Sequence, residues 1–243
     1  MLSKIGPMTE TVAADSPDRL ASMVGALEEE IVLGWLQPRE RLVEEAIAER
    51  FAAKRHIVRE AIFELERMGL VKRQPNKGAV VRVLDPEEVS DIYEVRIALE
   101  TLAAQRIPLP PPPEVLADLH ATQALHDRAV AAQDPRSAFR ANMRFHSVFF
   151  AACGNPHLAM MIRLSARKVH GARSLTAVNP TYLERARSEH RAIIAALETS
   201  DRDTLVALCR SHILPSRDIC IQTATLRRRL DRPTPDMAAA QKA

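Results

Sequence analysis

Residues 38–83 constrain the fold of this chain more than any other stretch. Two short amphipathic segments lie close together there, and a tight connection at Ala52-Ala53 joins them. A pair of β-prone segments follows, with turn-forming residues at 75–78 between them. Helix, turn, helix and hairpin in this order are typical of a winged helix-turn-helix, which is a DNA-reading module.

The second amphipathic segment has one apolar face and one basic face. Val58, Ile62 and Leu65 follow the i, i+4, i+7 spacing of a buried helix face. Arg55 and Arg59 share another face near the start of the helix, where free N–H groups favour phosphate. Because an arginine can bond O6 and N7 of guanine together, this helix is predicted to enter a major groove.

The β-prone pair is predicted to form the wing of the module. Its strands are expected at 70–73 and 79–82, with a turn at 76–78 in which Gly78 takes a positive φ. Lys77 at the tip of this turn is placed to lie along a sugar-phosphate backbone.

Charge supports this interpretation modestly. Residues 39–82 carry 11 Lys and Arg against 7 Asp and Glu, a net charge of +4, while the whole chain is at +3. The excess positive charge therefore lies in this module. Charge alone would also fit a solvated pair of helices with scattered arginines. The combination of helix pattern, turn and wing favours DNA binding.

Four motifs of the module carry a family resemblance. They are GWLQPRERL at 34–42, VREAI at 58–62, LERMGLV at 65–71 and PNKGA at 75–79. In these motifs the chain resembles the GntR-type transcriptional regulators. The resemblance implies DNA contacts from Arg41 at the start of the second helix, from Arg55 and Arg59, and from the wing tip at Gly78.

The chain departs from that family at three positions around the start of the second amphipathic segment. Lys54, His56 and Ile57 stand where the family usually has small hydroxyl residues and proline. Lys54 and His56 can still reach phosphate, so both are counted among the candidate DNA-binding residues.

Composition sets the broad class of the protein. The chain has 243 residues, of which 47% are hydrophobic and 27% charged, which suits one or two globular domains. No apolar run approaches the ~20 residues needed to cross a bilayer, and the start lacks an apolar signal region. The three cysteines form no close pair, which indicates reduced thiols and a cytoplasmic location.

The second part of the chain is predicted to be almost entirely helical. Asp85-Pro86 is a cap-then-proline signal that marks the domain boundary. Six or so antiparallel helices are expected after it, including one with Ile92, Val95, Leu99 and Leu102 inward and a single long helix after Asp201. The fold class is mainly α. The predicted division is a disordered 1–15, a winged helix-turn-helix at 16–84, a helical ligand-binding and dimerisation domain at 85–230, and a disordered 231–243.

Three histidines lie on faces of this second domain that should be apolar. They are His146, His190 and His212, on three different predicted helices. One buried imidazole is more often a satisfied core histidine, but three facing one cavity need partners, and a divalent metal satisfies all three. Asn142 lies one helical turn before His146 and can add an oxygen ligand.

The histidines belong to a second set of motifs. These are N-x-x-F-H at 142–146, GNP at 154–156, EH-x-x-I at 189–193, His212 and VRIALE at 95–100. They resemble the helical FCD domain of the FadR-like branch of the same superfamily. That resemblance implies zinc or nickel held by one aspartate and three histidines, with a small organic acid bound beside it. Asn142 replaces the usual aspartate, so weaker metal binding is expected.

Arg96 is the candidate partner for the carboxylate of such an effector, with a plain salt bridge as the alternative role. The sequence thus predicts a homodimeric, ligand-responsive regulator that acts as a repressor and binds a two-fold symmetric DNA operator. It does not predict an enzyme. One alternative is a metal-dependent hydrolase that uses the three histidines; another is a sensor that binds a protein partner without DNA. No His-Glu-x-x-His signature supports the hydrolase.

Overall fold

The computed structural model describes residues 17–74, 78–172 and 177–230. The predicted disordered ends and most of the wing turn, including Lys77, lie outside these residues. The elements in chain order are α1 (Pro17–Val32), β1 (Arg41–Leu42), α2 (Glu44–Arg50), α3 (Arg55–Arg67), β2 (Val71–Gln74), β3 (Gly78–Val81), α4 (Pro86–Arg106), α5 (Pro113–Ala131), α6 (Pro135–Ala151), α7 (Pro156–Lys168), a 3-10 turn (His170–Ala172), α8 (Pro180–Glu198), α9 (Arg202–His212) and α10 (Leu214–Leu230).

The N-terminal unit packs three helices against a small antiparallel sheet. The predicted apolar face of α3 is buried, because Val58, Ile62 and Leu65 are at most 2% exposed and share a core with α1. The sheet has the order β1-β3-β2, and Val71 of β2 is opposite Val81 of β3. The predicted two-stranded wing is therefore extended by a third short strand.

That third strand corrects the position of Arg41. The sequence placed Arg41 at the start of the second helix, but it lies in β1 opposite Val80, and α2 begins at Glu44. Backbone pairing explains the difference, since the N–H of Val81 donates to the carbonyl of Glu40 at 2.9 Å. A backbone held by the edge of a sheet cannot also supply the first turn of a helix.

The C-terminal unit is a helical bundle. α5 packs against α6 and α8, and α4 packs against α7, α9 and α10. Aspartate or asparagine side chains cap the starts of α6, α7 and α9, where Asp134, Asn155 and Asp201 accept backbone N–H groups. The single long helix predicted after Asp201 is in fact two. Pro215 has no N–H for the carbonyl four residues earlier, which breaks the helix just after His212.

The inward face of α4 also differs from the prediction. Val95 and Leu102 were expected inside but are 50% and 45% exposed. Tyr93, Arg96 and Glu100 are buried instead, and Arg96 Nε donates to Glu100 at 2.8 Å. Apolar spacing misled the prediction, because the charges of a buried ion pair compensate each other and the pair occupies the inner face.

Helix α1 contains three consecutive buried carboxylates, and the first two lie where the two units meet. Glu28 is 2.9 Å from Nδ1 of His170 in the 3-10 turn, and Glu29 accepts from Arg140 of α6 at 2.9 Å. Glu30 pairs instead with Arg50 of α2, inside the N-terminal unit. The first two contacts join the N-terminal helix to the helical bundle. In the part of the chain that the structure describes, no helix is long and apolar enough to cross a membrane.

The wing generates a stability prediction. Gly78 has φ +78°, and a Cβ there would lie 2.5 Å from the backbone carbonyl oxygen of Leu42. Gly78→Ala should therefore lower the free energy of unfolding by about 2 kcal/mol or more, through αL strain plus the clash. Chemical denaturation measures this. Gly25→Ala in α1 is the control: nothing lies within 4 Å of its added Cβ, so that variant should be more stable by about 0.5–1 kcal/mol. Equal stability of both variants would contradict the assignment of Gly78.

Candidate metal centre and nucleic-acid interface

The predicted DNA-reading arginines lie on the exposed face of α3. Arg55 and Arg59 keep 68% and 67% of their side-chain surface exposed. Each forms an ion pair within the N-terminal unit: Arg55 with Glu45 at 3.0 Å and Arg59 with Glu44 at 2.9 Å. Exposed pairs of this kind contribute only ~0–1 kcal/mol, so a phosphate can displace them.

The other candidate DNA residues surround the same surface. Arg41, Arg55, Arg59 and Gly78 line one concave surface, together with Arg73 of the wing. Lys54 is the N-cap residue of α3, and His56 follows in its first turn, both exposed. The structure therefore brings Arg41, Arg55, Arg59 and Gly78 together on one concave face of the N-terminal unit, even though Arg41 lies in a strand.

The three predicted histidines converge in the helical bundle. His146 comes from α6, His190 from α8 and His212 from the last residue of α9. One ring nitrogen from each lies within 4.8 Å of the other two, and the ring centroids are 5.0–5.1 Å apart. Three neutral nitrogen donors at this spacing are the ligand set of a zinc, nickel or copper site.

Hydrogen bonds on the far side of two rings fix their orientation. Nδ1 of His190 is 3.1 Å from Oε1 of Gln123, and Nδ1 of His212 is 2.6 Å from Oε2 of Glu189. Such partners hold the Nε2 atoms of metal-binding histidines toward the metal. Glu189 directly precedes His190 in α8, but its carboxylate is hydrogen-bonded to His212 of α9, across the interface between two helices.

Electrostatics favour the neutral form of the innermost imidazole of the cluster, His190. Burial, followed by the neighbouring rings, lowers the pKa of His190 well below its ordinary value. Burial would raise the pKa of Glu189, but hydrogen bonds from His212 and Arg185 outweigh it and the pKa lies below the ordinary value. The Nε2 atom of His190 is buried and has no hydrogen-bond partner among the described residues. A metal ion would satisfy that nitrogen, so the residues fit such a group.

His146 and His212 line a cavity of about 190 Å³ that the remaining predicted groups also line. Asn142 lines it, is 8% exposed and stands one turn before His146 on α6. Arg96 reaches the cavity from α4, and its buried Nη1 has no hydrogen-bond partner within the described residues. Arg96 is thus salt-bridged to Glu100 and also lines the cavity beside His146 and His212.

The sequence analysis missed His126. This residue of α5 is fully buried and lines the same cavity, and its ring centroid lies 5.2 Å from that of His190. Burial lowers its pKa to about 4. The signal was available, because His126 follows Leu119 and Gln123 at helical spacing on the buried face of α5.

These features define a winged helix of the DNA-binding kind joined to a helical bundle. The chain matches the bacterial regulatory proteins of the gntR family over residues 21–81 and the FCD domain over residues 91–214. It therefore belongs to the GntR family of bacterial transcriptional regulators and carries an FCD domain, as the motifs predicted.

Similar proteins agree with this membership. The uncharacterized HTH-type transcriptional regulator YdhC of Bacillus subtilis (strain 168) is 26% identical over 189 residues, which are 77% of this chain and 83% of YdhC. The HTH-type transcriptional repressor GlaR of Escherichia coli (strain K12) is 26% identical over 196 residues, 77% of this chain and 89% of GlaR. The structure of E. coli McbR/YncC has the same fold, with a TM-score of 0.72 at 20% identity over 84% of this chain and 97% of that one. The families and named relatives are transcriptional regulators rather than enzymes, so the chain is a regulator and the hydrolase alternative is set aside.

Proposed function

We propose that this chain is a homodimeric repressor that releases DNA in response to a small organic acid, sensed through a metal centre. The observation that carries the proposal is the cluster of three imidazoles, two of which, His146 and His212, line one cavity with Arg96, whose Nη1 has no hydrogen-bond partner among the described residues. The proposal includes a division of the chain into two domains at Asp85, with DNA binding at 16–84 and sensing at 85–230. The repressor GlaR, which aligns with 77% of this chain over 89% of its own length, supports repression as the mode of action.

DNA binding is assigned to the concave face of the N-terminal unit. Arg55 and Arg59 would leave Glu45 and Glu44 for DNA, with Arg41, Lys54, His56, Lys77 and Gly78 at the surrounding phosphates. Phosphate contacts give affinity that depends on salt, whereas base contacts give the choice of sequence. A homodimer presents two such faces to two half-sites. Exposed Val95 and Leu102 of α4 and Met161 of the adjacent α7 supply apolar surface for the dimer.

The metal centre is assigned to His146, His190 and His212, with Asn142 as the oxygen donor. Zinc or nickel suits these donors. A divalent ion there would supply a fixed positive charge that polarises and orients a bound carboxylate. Because Asn142 is neutral, the charge of the ion is less compensated than with aspartate. A bound acid restores the balance, and Arg96 can bind its second oxygen.

The contact between cavity and N-terminal unit offers a route for the signal. Phe139 lines the cavity and meets the ring of His170 edge-on, with centroids 5.5 Å apart. His170 in turn contacts Glu28 of α1, which packs directly on α3. Burial would raise the pKa of Glu28, but His170 and Arg167 outweigh it and keep the carboxyl ionised. An effector changes DNA affinity only if it favours one arrangement of this contact over another.

The first prediction concerns DNA. Arg55→Ala/Arg59→Ala should weaken binding to the region upstream of the gene roughly 100-fold or more, and should reduce the salt slope by about one for each lost phosphate contact. Gel shifts across a salt series measure both. Footprinting should show two half-sites in the wild type. Arg67→Ala is the matched control on the same helix, because Arg67 is exposed and pairs with Glu64 near the other end. Unchanged binding by the double variant would favour a sensor that acts without DNA.

The second prediction concerns the metal. Asn142→Asp should bind Zn²⁺ or Ni²⁺ about tenfold or more tightly than the wild type, because it returns a negative ligand to the ion. Competition titration measures the affinity, with and without a panel of small mono- and dicarboxylic acids. An acid from the panel should raise metal occupancy in the wild type more than in Asn142→Asp. Equal and tight occupancy in every sample would contradict the role given to Asn142.

The third prediction concerns coupling. Glu28→Gln should leave Zn²⁺ affinity unchanged but reduce the effect of Zn²⁺ on DNA affinity, which for typical coupling is about 5–150-fold. Both quantities can be measured on one preparation by metal titration and gel shift. Glu30→Gln is the matched control, since the neighbouring carboxylate pairs with Arg50 inside the N-terminal unit. The route through Glu28 is wrong if both variants respond to Zn²⁺ like the wild type.

A further inference from the structure

We propose that His126 is a fourth imidazole ligand of the metal centre. The proposal rests on the metal site of the proposed function and extends it to a residue outside the family motif. His126 would add a further neutral nitrogen donor to His146, His190, His212 and the oxygen of Asn142.

The first support is the position of the ring. The ring centroids of His126 and His190 are 5.2 Å apart, which is close to the 5.0–5.1 Å spacing within the triad. It lines the same cavity as His146 and His212. Gln123, three residues earlier on α5, is the group that orients His190. One helix therefore places both an orienting amide and a further imidazole beside the same ring.

The second support is the unmet hydrogen-bonding capacity of His126. Both of its ring nitrogens are buried without a hydrogen-bond partner in the described part of the chain. A buried polar group left in that state costs roughly 1–3 kcal/mol. The buried Nε2 of His190, the neighbouring ring, also lacks a partner among the described residues. A cation between the rings would take one nitrogen of each.

The third support is what coordination demands of the rings. Metal–nitrogen bonds of about 2.0–2.1 Å place tetrahedral donors roughly 3.3 Å from one another. The triad nitrogens lie within 4.8 Å of one another, and His126 is not in that group. The rings must therefore close in on an ion, and rotation of the His126 side chain would be part of that closure. A ligand set with four imidazoles favours Ni²⁺, Cu²⁺ and Zn²⁺ over Mn²⁺ and Mg²⁺, which prefer carboxylate oxygen.

The test counts ligands in the full-length protein. Pulse EPR of the wild type loaded with Cu²⁺ should detect four coupled imidazoles. His126→Leu should show three and should lose at least tenfold in Ni²⁺ and Zn²⁺ affinity. Because Leu removes a buried group that lacks partners, the metal-free variant should melt at or above the wild-type temperature. His120→Leu is the matched control, as His120 lies on the same helix but is exposed and bonded to Glu198.

Each other result would overturn the proposal. Three imidazoles in the wild type would remove His126 from the ligand set, and this measurement needs no variant to fold. Lower affinity of His126→Leu with an unchanged imidazole count would make His126 a positioning residue. A metal-free variant that is destabilised but binds metal normally would make it structural. Failure of the wild type to bind any of these ions, with His146→Ala indistinguishable from it, would instead refute the metal centre of the proposed function.

Discussion

The arrangement of the two units depends on the buried carboxylates of α1. A carboxylate removed from water is tolerated only when cations or N–H groups surround it, and loss of one partner of a buried pair costs several kcal/mol. Glu28 and Glu29 find their partners in His170, Arg140 and Arg136 of the helical bundle, not in the N-terminal unit. The helix that supports the DNA-reading helix α3 is thereby held by the domain that contains the cavity. A change in one of those basic groups would therefore alter how α1 packs.

The same requirement governs the cavity, with the opposite result. At the contact between units every buried charge of α1 has a partner, whereas polar atoms in and beside the cavity lack one among the described residues. These are Nη1 of Arg96 and both nitrogens of His126, whose residues line the cavity, and Nε2 of the adjacent His190. Such atoms are rare in folded proteins and are expected where a ligand completes the structure. Binding at this cavity would satisfy polar atoms that folding leaves without a partner.

The sequence was sufficient for features that repeat along one element. The buried and basic faces of α3, and the histidines on inner faces, follow from helical spacing alone, and the structure has them. It was insufficient where two elements compete or combine. Arg41 joined β1 because β3 was available to pair with it, and Glu100 made the inner face of α4 polar by neutralising Arg96. The contact of Glu189 with His212 crosses two helices, so no spacing within either helix could show it. His126 was different, since its helical spacing was present and was overlooked.

The break after α9 connects these two regions. Pro215 ends the hydrogen-bonding pattern of the helix, so adjacent residues serve different structures. His212 lies in the imidazole cluster, while Ile213 is buried in an apolar cluster with Leu84 and Val169, next to the 3-10 turn that contains His170. A continuous helix would place this backbone under the constraint of i to i−4 bonds. In the proposed function the break would let His212 adjust to an ion by a local change, and because packed interiors have low compressibility, that change would be passed to Ile213 and its neighbours. The position of one proline thus places a residue of the imidazole cluster and a residue of the apolar cluster around Leu84 next to each other in the chain.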